Sequence, residues 1–485
     1  MNTKFVFRTI GQLLTVETFL MMFPLLVAVM DNDLPVINAF LTAMGFTTLA
    51  AYTLRYFCKE EKAQSYYAQE GFVTVSLGWM IISFFGCLPF WLSGQIPSFV
   101  DALFETVSGF TTTGATILTN IESMSRSLLF WRSFSHWIGG MGMLVFILAI
   151  IPAGQGRGYT LHLVRAEIPG PDVGKLTPRM GSTAKILYAI YILMTLLCAG
   201  LYVLAGMPVF DAFCYAFGTA ATGGFSIHST NMALFTPTIQ WIAAVFMLLF
   251  GINFNLYYFL IIREYKMIYK DEEVRLYLLI ILLATGLITW NLYPLFDNFG
   301  DCIRTAFFHV SSMTTTTAFA TTSFDSWPTF SQAILLCLMI LGSNAGSTGG
   351  GIKTARFLLM LKGLHRNIRQ ALNPRNIYVI MINKRPIADR TMQNLNAYMS
   401  AYWLLIGFSF LVVSMDGYSV TSTLSAVMAC FNNIGMGLEM VGPTGNYAAF
   451  STLSKFVFMG DMFLGRLEIF PILALLSRHT WNRYL

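Results

Sequence analysis

Residues 110–116 read Phe-Thr-Thr-Thr-Gly-Ala-Thr, and runs rich in Thr, Gly, Ala or Asn occur four times along the 485-residue chain. Each run follows a short apolar segment of about a dozen residues, and a longer apolar segment comes after it. The other three runs are TAATGGFS at 219–226, MTTTTAFAT at 313–321 and NNIGMG at 432–437. Aligned on Gly114, Gly223, Ala318 and Gly435, they stand 109, 95 and 117 residues apart, which predicts four structural repeats.

The short apolar segments cannot cross a membrane as helices. At a rise of about 1.5 Å per residue, a dozen residues cover much less than the hydrocarbon thickness of about 30 Å. Each segment must therefore enter the bilayer and return through its Thr/Gly-rich run. Non-helical backbone at that depth is stable only where protein buries it or water solvates it. We therefore predict that the four runs meet around a pore.

The composition is that of a membrane protein. Hydrophobic residues make up 55% of the chain and charged residues 11%, against about 25% charged in an ordinary soluble domain. Apolar runs predict helices at 5–30, 35–57, 71–93, 127–152, 183–206, 235–262, 276–294, 329–342, 352–365, 392–413 and 450–477. We predict a two-helix segment over 1–65 and pore repeats over 66–160, 161–270, 271–385 and 386–485.

The basic loops fall on one side of the predicted membrane, at 55–62, 157–185, 263–275, 353–390 and 478–483. By the positive-inside rule this side, which also holds both termini, is the cytoplasm. The net charge of +6 therefore reflects topology, and no nucleic acid partner is predicted. Loops 157–185 and 353–390 are large enough to dock a protein partner, although contact with membrane lipid explains their charge equally well.

The Thr/Gly-rich turns suit a cation that has lost its water. Rings of backbone carbonyls replace hydration oxygens without full negative charge, and glycine accepts the backbone angles that turn those carbonyls inward. Threonine adds hydroxyl oxygens, and each short helix points its partly negative C-terminal end toward the cavity. The candidate ion ligands are Thr112, Thr113, Gly114, Ala221, Thr222, Gly223, Thr316, Thr317, Ala318, Asn433, Ile434 and Gly435. The alternative for any single turn is a tight connection between helices, and four turns in register argue against it.

A second polar run, GSNAGSTGGGIK at 342–353, interrupts the last helix of the third repeat. No continuous helix is stable with so many glycines, so the run predicts a loop below the turns that blocks the path or moves aside. The alternative is a plain kink. A phosphate-binding loop is excluded because Ile352 separates the glycines from Lys353 and no strand precedes them. The gate candidates are Gly346, Ser347, Thr348, Gly349, Gly350, Gly351, Lys353 and Arg466.

Arg466 lies near the middle of the last apolar helix, where a cationic side chain costs at least about 2.5 kcal/mol unless it is solvated or paired. We expect it to face the pore; the alternatives are pairing with Asp461 or Glu468, or extension to the membrane surface. Asp101 and Asp211 are interpreted either as helix caps or as groups that attract cations. Glu105 and Glu439 either raise the local cation concentration or are ordinary surface charges. His136 and His309 either pack in the interior or relay protons.

With these motifs, the chain resembles the Trk/Ktr/HKT superfamily of cation transporters over 71–485, and its two added N-terminal helices resemble the TrkH branch. The resemblance implies an all-α integral membrane protein, with four helix–pore loop–helix repeats around a pseudo-fourfold pore and two extra N-terminal transmembrane helices. It also implies a homodimer in the bacterial inner membrane, a cytosolic nucleotide-binding ring of the TrkA type, K⁺ or Rb⁺ in the turns, and no bound cofactor. Ala318 departs from the family's more frequent glycine, which predicts looser selectivity, whereas Gly114 replaces the serine of sodium-preferring relatives and favours potassium.

The predicted function is therefore gated potassium uptake through a selectivity filter, controlled by a cytosolic subunit. Coupling of this flux to H⁺ or Na⁺, as in a symport, stays open. The alternative is a sodium- or proton-coupled secondary transporter of another solute, which would show inverted repeats, whereas these repeats share one orientation. An enzyme is not predicted, because the chain contains no HExxH motif, no paired membrane aspartates and no nucleophile elbow.

Overall fold

The computed structural model of the protein describes residues 3–58, 68–140, 142 and 180–481, and the statements below refer to these residues. Several predicted features lie outside them: Lys59, Lys62 and Arg483, the basic loop up to residue 179, the boundary at 160, and the end of the helix predicted at 127–152. The other repeat boundaries stay predictions.

Two helical spans precede the repeats, as predicted. The first consists of Thr3–Leu20 and Met22–Met30, and the second is Leu34–Phe57. The carboxylate of Asp33 accepts the N–H of Val36 at 3.4 Å and so caps the second span. Pro35 occupies its first turn, where a missing N–H costs no hydrogen bond.

Each repeat contains an outer helix, a short pore helix and an inner helix. The outer helices are Ala68–Gly86, Met180–Leu204, Glu272–Leu292 and Asp389–Val413. The pore helices, numbered first to fourth, are Phe99–Phe110, Val209–Ala221, Phe299–Thr314 and Val420–Phe431. The inner helices are Arg126–Gly140, Pro237–Phe250, Thr329–Ile340 and Thr452–Arg466.

The remaining elements extend or connect these repeats. They are the helices Leu88–Leu92, Phe254–Ile261, Tyr265–Tyr269, Thr354–Leu372, Ile469–Leu476 and Arg478–Trp481, and the 3₁₀ turns Asn231–Leu234, Tyr293–Leu295, Phe324–Ser326, Ser414–Asp416 and Glu439–Val441. Two strands of two residues, Met381–Ile382 and Arg385–Pro386, pair antiparallel with Met381 opposite Pro386. Apart from this hairpin, the regular structure of the described chain is helical.

Six helical segments of the described chain are long and apolar enough to cross a bilayer. They are Thr3–Met30, Leu34–Phe57, Gln69–Leu92, Ala184–Leu204, Glu272–Leu295 and Asp389–Asp416. The pair Pro237–Phe250 and Phe254–Ile261, which bends by 93° at the intervening residues, is a seventh if its two helices are counted as one span. The sequence predicted one helix at 235–262, whereas the structure divides this range into two helices at residues 251–253.

The pore helices are too short to span the membrane, as predicted. They contain between 12 and 16 residues, which corresponds to about 18–24 Å at the rise of an α-helix. Side chains cap three of their N-termini: Ser98 accepts from the Asp101 N–H at 3.4 Å, Asn298 from Gly300 at 3.0 Å, and Ser419 from Ser422 at 3.1 Å. These caps satisfy backbone donors that a helix start leaves free.

Hydrogen bonds link each repeat to the next around a closed circle, beyond the ends of the pore helices. Four bonds make these links: Arg132 Nη1 to Ser226 O at 2.6 Å, Met232 N to Ala320 O at 3.0 Å, Glu439 N to Asp325 Oδ1 at 3.0 Å, and Tyr447 N to Thr116 O at 2.8 Å. The last of these joins the fourth repeat to the first. The four repeats therefore surround one axis.

The inner helices are interrupted where they approach one another. The first ends at Gly140, the second bends after Phe250, and the third gives way to a loop after Ile340. The fourth breaks at Glu468, which has a φ of +65°. Only the third interruption was predicted, from the glycine-rich run at 342–351.

Two inner-helix glycines let the pore helices approach closely. A Cβ at Gly139 would overlap the carbonyl oxygen of Phe110, and one at Gly465 would overlap that of Phe431. Phe110 and Phe431 are the last residues of the first and fourth pore helices. The two repeats therefore use the same contact, in which a glycine places an inner helix against the end of a pore helix.

Replacing Gly465 by Ala is expected to destabilise the protein by about 1–3 kcal/mol, because the contacted atom belongs to the backbone and cannot move aside as a side chain does. Gly460→Ala on the same helix is the matched control, since nothing lies within 4 Å of its added Cβ. The control should stabilise by about 0.5–1 kcal/mol through helix propensity. Thermal unfolding in detergent measures both; equal stability of the two variants would contradict the close contact.

Candidate functional site

The four predicted turns share an unusual backbone conformation. In each turn, two residues that have a single residue between them have positive φ. This is the left-handed region, which residues other than glycine rarely occupy. The pairs are Thr112 (+55°) and Gly114 (+80°), Thr222 (+53°) and Gly224 (+77°), Thr316 (+59°) and Ala318 (+59°), and Asn433 (+54°) and Gly435 (+76°). The repeated pattern shows that the four turns are structurally equivalent.

Backbone hydrogen bonds define the same register. The N–H of the first left-handed residue returns to the carbonyl three positions earlier, as Thr112 does to Gly109 at 3.1 Å. The next N–H returns five positions, as Thr113 does to Ser108 at 2.9 Å. The other three turns repeat both bonds. This is a Schellman helix end, which normally places glycine at the left-handed position.

The register corrects the alignment of the second turn. Thr222, not Ala221, matches Thr112, and Gly224, not Gly223, matches Gly114. The sequence contains two adjacent glycines there, and spacing alone could not tell which of them has positive φ. Ala221 is the last residue of its pore helix, so it lies one position before the turn. Gly224, which occupies the position equivalent to Gly114, is absent from the candidate ligands predicted from the sequence.

Three of the four neighbouring pairs of turns approach each other through their backbones. A Cβ added to Gly114 would overlap the carbonyl oxygen of Gly223, and one on Gly224 would overlap that of Thr317. A Cβ on Gly435 would overlap the carbonyl oxygen of Thr113, which closes the circle from the fourth turn to the first. The left-handed glycine of one turn therefore lies directly against a carbonyl of its neighbour.

Ala318 occupies the one equivalent position that carries a side chain. Its φ of +59° places it in the same left-handed region as the three glycines. The third turn thus keeps the backbone class of the others, although a left-handed L-residue costs about 1–2 kcal/mol. The φ of Ala318 therefore does not depart from those of the other turns, and the looser selectivity that this residue predicts stays a prediction.

Side chains of the turns are buried and bonded to one another. Asn433 Nδ2 donates to Thr113 Oγ1 at 3.0 Å and to Met462 O at 2.9 Å, which joins the fourth turn to the first. The hydroxyls of Thr315 and Thr317 lie 2.7 Å apart. Of the predicted ligands, Thr112, Thr113, Thr222, Thr316, Thr317 and Asn433 are all buried. Ile434 is buried as well, as the turn residue equivalent to Thr113.

A small cavity of about 90 Å³ opens beside the turns. Gly114, Gly224, Ala318 and Gly435 line it together, which places the second left-handed residue of every turn on one side of the circle. Arg132 lines the same cavity. All four turns therefore border one common space.

Glu105 forms a buried ion pair with Arg132, at 2.5 Å. Its carboxylate also accepts the hydroxyl of Thr116 at 2.9 Å and the N–H of Ile117 at 2.9 Å, both just after the first turn. Arg132 donates onward to Ser226 O, after the second turn. Neither interpretation from the sequence was correct: Glu105 is neither free surface charge nor an open cation attractor, but links two turns.

The other acidic residues have partners near the outer surface. Asp101 accepts Lys455 Nζ at 2.6 Å, and Asp211 lies 3.1 Å from His228 Nε2; neither is the N-cap of its helix. Hydrogen bonds from Ser419 and Ser422 hold the pKa of the Glu439 carboxyl below its ordinary value. Glu439 therefore stays charged through neutral pH, which suits the cation-attracting interpretation.

The two buried histidines have hydrogen-bond partners. His136 Nε2 accepts the N–H of Phe225 at 3.2 Å, so its Nδ1 carries the proton and donates to Gly109 O at 2.9 Å. It connects the end of the first pore helix to the second turn. His309 lies 2.9 Å from Thr305 O and 3.2 Å from Thr322 O. These contacts agree with a packing role for both side chains.

The gate candidates lie directly beside the turns. In loop 341–353, Gly350 N–H donates to Thr316 Oγ1 at 2.7 Å, and Thr348 Oγ1 donates to Phe250 O at 3.3 Å. A Cβ on Gly350 would overlap the carbonyl oxygen of Asn432, next to the fourth turn. The loop therefore contacts the third and fourth turns and the end of the second inner helix.

Two cationic side chains hold this loop. Arg466 donates to Thr348 O at 2.7 Å and to the carbonyls of Gly139 and Gly140 at 2.6 Å each, so it fastens the loop to the end of the first inner helix. Lys353 Nζ donates to Gly349 O. The two carboxylates that the sequence offered as partners of Arg466 bind other residues. Glu468 pairs with Arg356 at 2.6 Å, and Asp461 accepts the hydroxyl of Ser409 at 2.7 Å.

The comparisons with known proteins agree with this architecture. The TrkH family model, described as cation transport protein, matches residues 37–481. The chain belongs to the TrkH family of cation transport proteins. TrkH relatives include the "Trk system potassium uptake protein TrkH" of Salmonella typhimurium, which is 36% identical over 99% of this chain and 100% of its own length. The "Trk system potassium uptake protein TrkG" of Escherichia coli is 33% identical over the same shares.

A solved TrkH structure has the same fold. The crystal structure of the potassium transporter TrkH from Vibrio parahaemolyticus superposes with a TM-score of 0.89 at 32% identity, covering 99% of this chain and 100% of that one. The predicted fold class and family are thereby confirmed. Like other TrkH proteins, the chain is a multi-pass membrane transport protein and not an enzyme.

Gly224→Ala tests the corrected register. Its Cβ would meet the carbonyl of Thr317 at a position that already has positive φ, and strain of about 1–3 kcal/mol should lower cation flux about tenfold or more. Ala318→Gly is the matched control, because it removes a Cβ at the equivalent position. Its flux should change by less than about fivefold and its free energy of unfolding by less than about 1 kcal/mol. Reconstituted flux measures both; full activity of Gly224→Ala would show that Gly224 is not part of the circle.

Proposed function

We propose that the protein takes up K⁺ through a selectivity filter formed by its four left-handed turns. The observation that carries the proposal is the repeated pair of positive φ values in turns that contact one another around a single axis. Relatives that match over their full length are potassium uptake proteins by name, which supports K⁺ as the ion.

Strain at the turns supports a functional role. Thr112, Thr222 and Thr316 are β-branched residues in the left-handed region, where each costs about 1–2 kcal/mol relative to a right-handed conformation. Such residues persist where the surrounding structure determines them, and they concentrate at functional sites. Glycine would relieve the strain but would remove the hydroxyl, so the threonines are best explained by their side chains.

The turns offer oxygens without carboxylates. We assign the carbonyl oxygens of Thr113, Gly223, Thr317 and Ile434 as the cation ligands nearest the axis. Among the candidate ion ligands predicted from the sequence, we replace Ala221 by Gly224. Four pore helices direct their partly negative C-terminal ends at these oxygens, which favours a monovalent cation between them. Direct backbone contacts fix the width of the circle, and a fixed width lets ions of different size be distinguished.

Loop 341–353 is the proposed gate. Its contacts with two turns and with Arg466 support a position in the path from the filter to the basic side of the membrane. The charges of Arg466 and Lys353 oppose a cation there while the loop remains in place. We further infer cytoplasmic termini in a bacterial inner membrane, a homodimer, and control by a cytosolic nucleotide-binding subunit that acts on the basic face.

Flux of the purified chain in liposomes tests the filter. Under matched outward gradients we expect uptake of K⁺ and Rb⁺ to exceed uptake of Na⁺ by about tenfold or more, because only the larger ions fit the circle of oxygens. Tracer uptake with ⁸⁶Rb⁺ and ²²Na⁺ measures the ratio. Absence of flux for every cation, or equal flux for K⁺ and Na⁺, would reject the selective pore.

Deletion of residues 347–350 tests the gate. The variant loses the Gly350 bond to Thr316 and the Thr348 bond to Arg466, so flux without any partner should rise about tenfold while the K⁺/Na⁺ ratio is kept. The control deletes 373–376, four exposed residues after Thr354–Leu372. If both deletions leave flux at the level of the intact chain, the loop does not obstruct the path.

A further inference from the structure

We propose that Glu273 is the latch that holds loop 341–353 in its blocking position. This inference rests on the proposed function and adds a regulatory residue to it. Glu273 lies in the first turn of the outer helix Glu272–Leu292 of the third repeat, outside both the filter and the loop.

One carboxylate oxygen of Glu273 joins the two ends of the loop. Oε1 accepts the N–H of Ala345 at 2.6 Å and the N–H of Ala355 at 3.1 Å. Ala345 lies near the start of the loop, and Ala355 lies in the first turn of helix Thr354–Leu372, which follows it. The loop also closes on itself, since Gly342 N–H donates to Ile352 O at 2.9 Å and Thr354 N–H donates to Ser343 O at 3.1 Å. The carboxylate adds a contact from outside the loop, which ties this closed loop to the outer helix.

The electrostatics of these bonds favour a carboxylate. Ala355 contributes one of the N–H groups that a helix start leaves without an internal partner, and negative charge is stabilised there. A charged acceptor also binds N–H groups more strongly than a neutral one. Two such bonds on one oxygen therefore strengthen the attachment of the loop to the outer helix.

The neighbouring acidic residues are engaged elsewhere. Glu272 pairs with Lys362 on helix Thr354–Leu372. Asp271 caps its own helix by accepting the Val274 N–H at 3.0 Å, and it accepts Asn383 Nδ2 at 3.0 Å. The three adjacent carboxylates thus have separate tasks, and only Glu273 binds the loop.

The latch connects the loop to the basic face of the protein. Helix Thr354–Leu372 and hairpin 381–386 lie on that face and are tied to the same outer helix through Glu272 and Asp271. Any displacement of this helix that pulls Ala355 away from Glu273 removes one of the two bonds. Glu273 is therefore a positioning residue through which movement of the cytosolic helix releases the loop.

Glu273→Gln is the first test, since it keeps the shape but removes the charge of the acceptor. Flux through the purified chain alone should rise about tenfold, with the K⁺/Na⁺ ratio unchanged because the filter is untouched. Glu264→Gln, at an exposed carboxylate that precedes the same helix, is the matched control and should leave flux within about twofold. Increased flux in both variants, or in neither, would overturn the latch.

Ala345→Pro tests the same bond from the donor side. Ser347 N–H returns to Asn344 O at 3.2 Å and Gly346 has a φ of +74°, which defines a type II turn with Ala345 at the position that accepts proline. The substitution removes only the N–H and should also raise flux about tenfold. Because both substitutions act on the same hydrogen bond between Ala345 and Glu273, the flux of the double variant should exceed that of Glu273→Gln by less than about threefold. If the flux increases of the two single variants multiply in the double variant, Glu273 does not act through its bond to Ala345.

The deletion of 347–350 separates this proposal from the function on which it rests. If the deletion raises flux and Glu273→Gln does not, the loop is the gate and Glu273 is not its latch. If neither intact chain nor deletion conducts any cation, the proposed function itself fails. Retained elution volume and unfolding temperature of Glu273→Gln show that the variant is folded.

Discussion

Positive φ at the ends of four pore helices is the constraint on which the structure depends. Each helix stops because Thr112, Thr222, Thr316 or Asn433 adopts the left-handed conformation, and two returning hydrogen bonds fix that stop. A second left-handed residue two positions later then brings the first, second and fourth turns against a carbonyl of a neighbouring turn. Since three of the first residues are threonines, the conformation is unfavourable locally and must be maintained by packing.

The packing that maintains it comes from every repeat. Gly139 and Gly465 let inner helices touch the ends of two pore helices, and the ion pair of Glu105 with Arg132 joins the backbone after the first and second turns. Breaks in the inner helices leave carbonyls without helical partners, and Arg466 together with loop 341–353 satisfies several of them. The same contacts that complete the helix ends therefore also place the loop beside the turns.

Much of this arrangement could be predicted from the sequence, and the failures have physical reasons. Helix length and the four Thr/Gly-rich runs predicted the repeats, because a short apolar segment has few alternatives in a bilayer. The register of the second turn was missed, because adjacent Gly223 and Gly224 are both free to adopt positive φ. The bend after Phe250 and the break at Glu468 lack a glycine run, and the partner of Glu105 lies 27 residues away, so tertiary contacts decide all three.

The central claim is that backbone oxygens of the four turns bind a bare monovalent cation on their common axis. Diffraction from crystals grown in Rb⁺, recorded at the rubidium absorption edge, tests it most directly. We predict an anomalous peak enclosed by the carbonyls of Thr113, Gly223, Thr317 and Ile434 that persists when Na⁺ is added at the same concentration as Rb⁺. Rubidium bound only outside this circle, or a circle that holds Na⁺ equally well, would contradict the account.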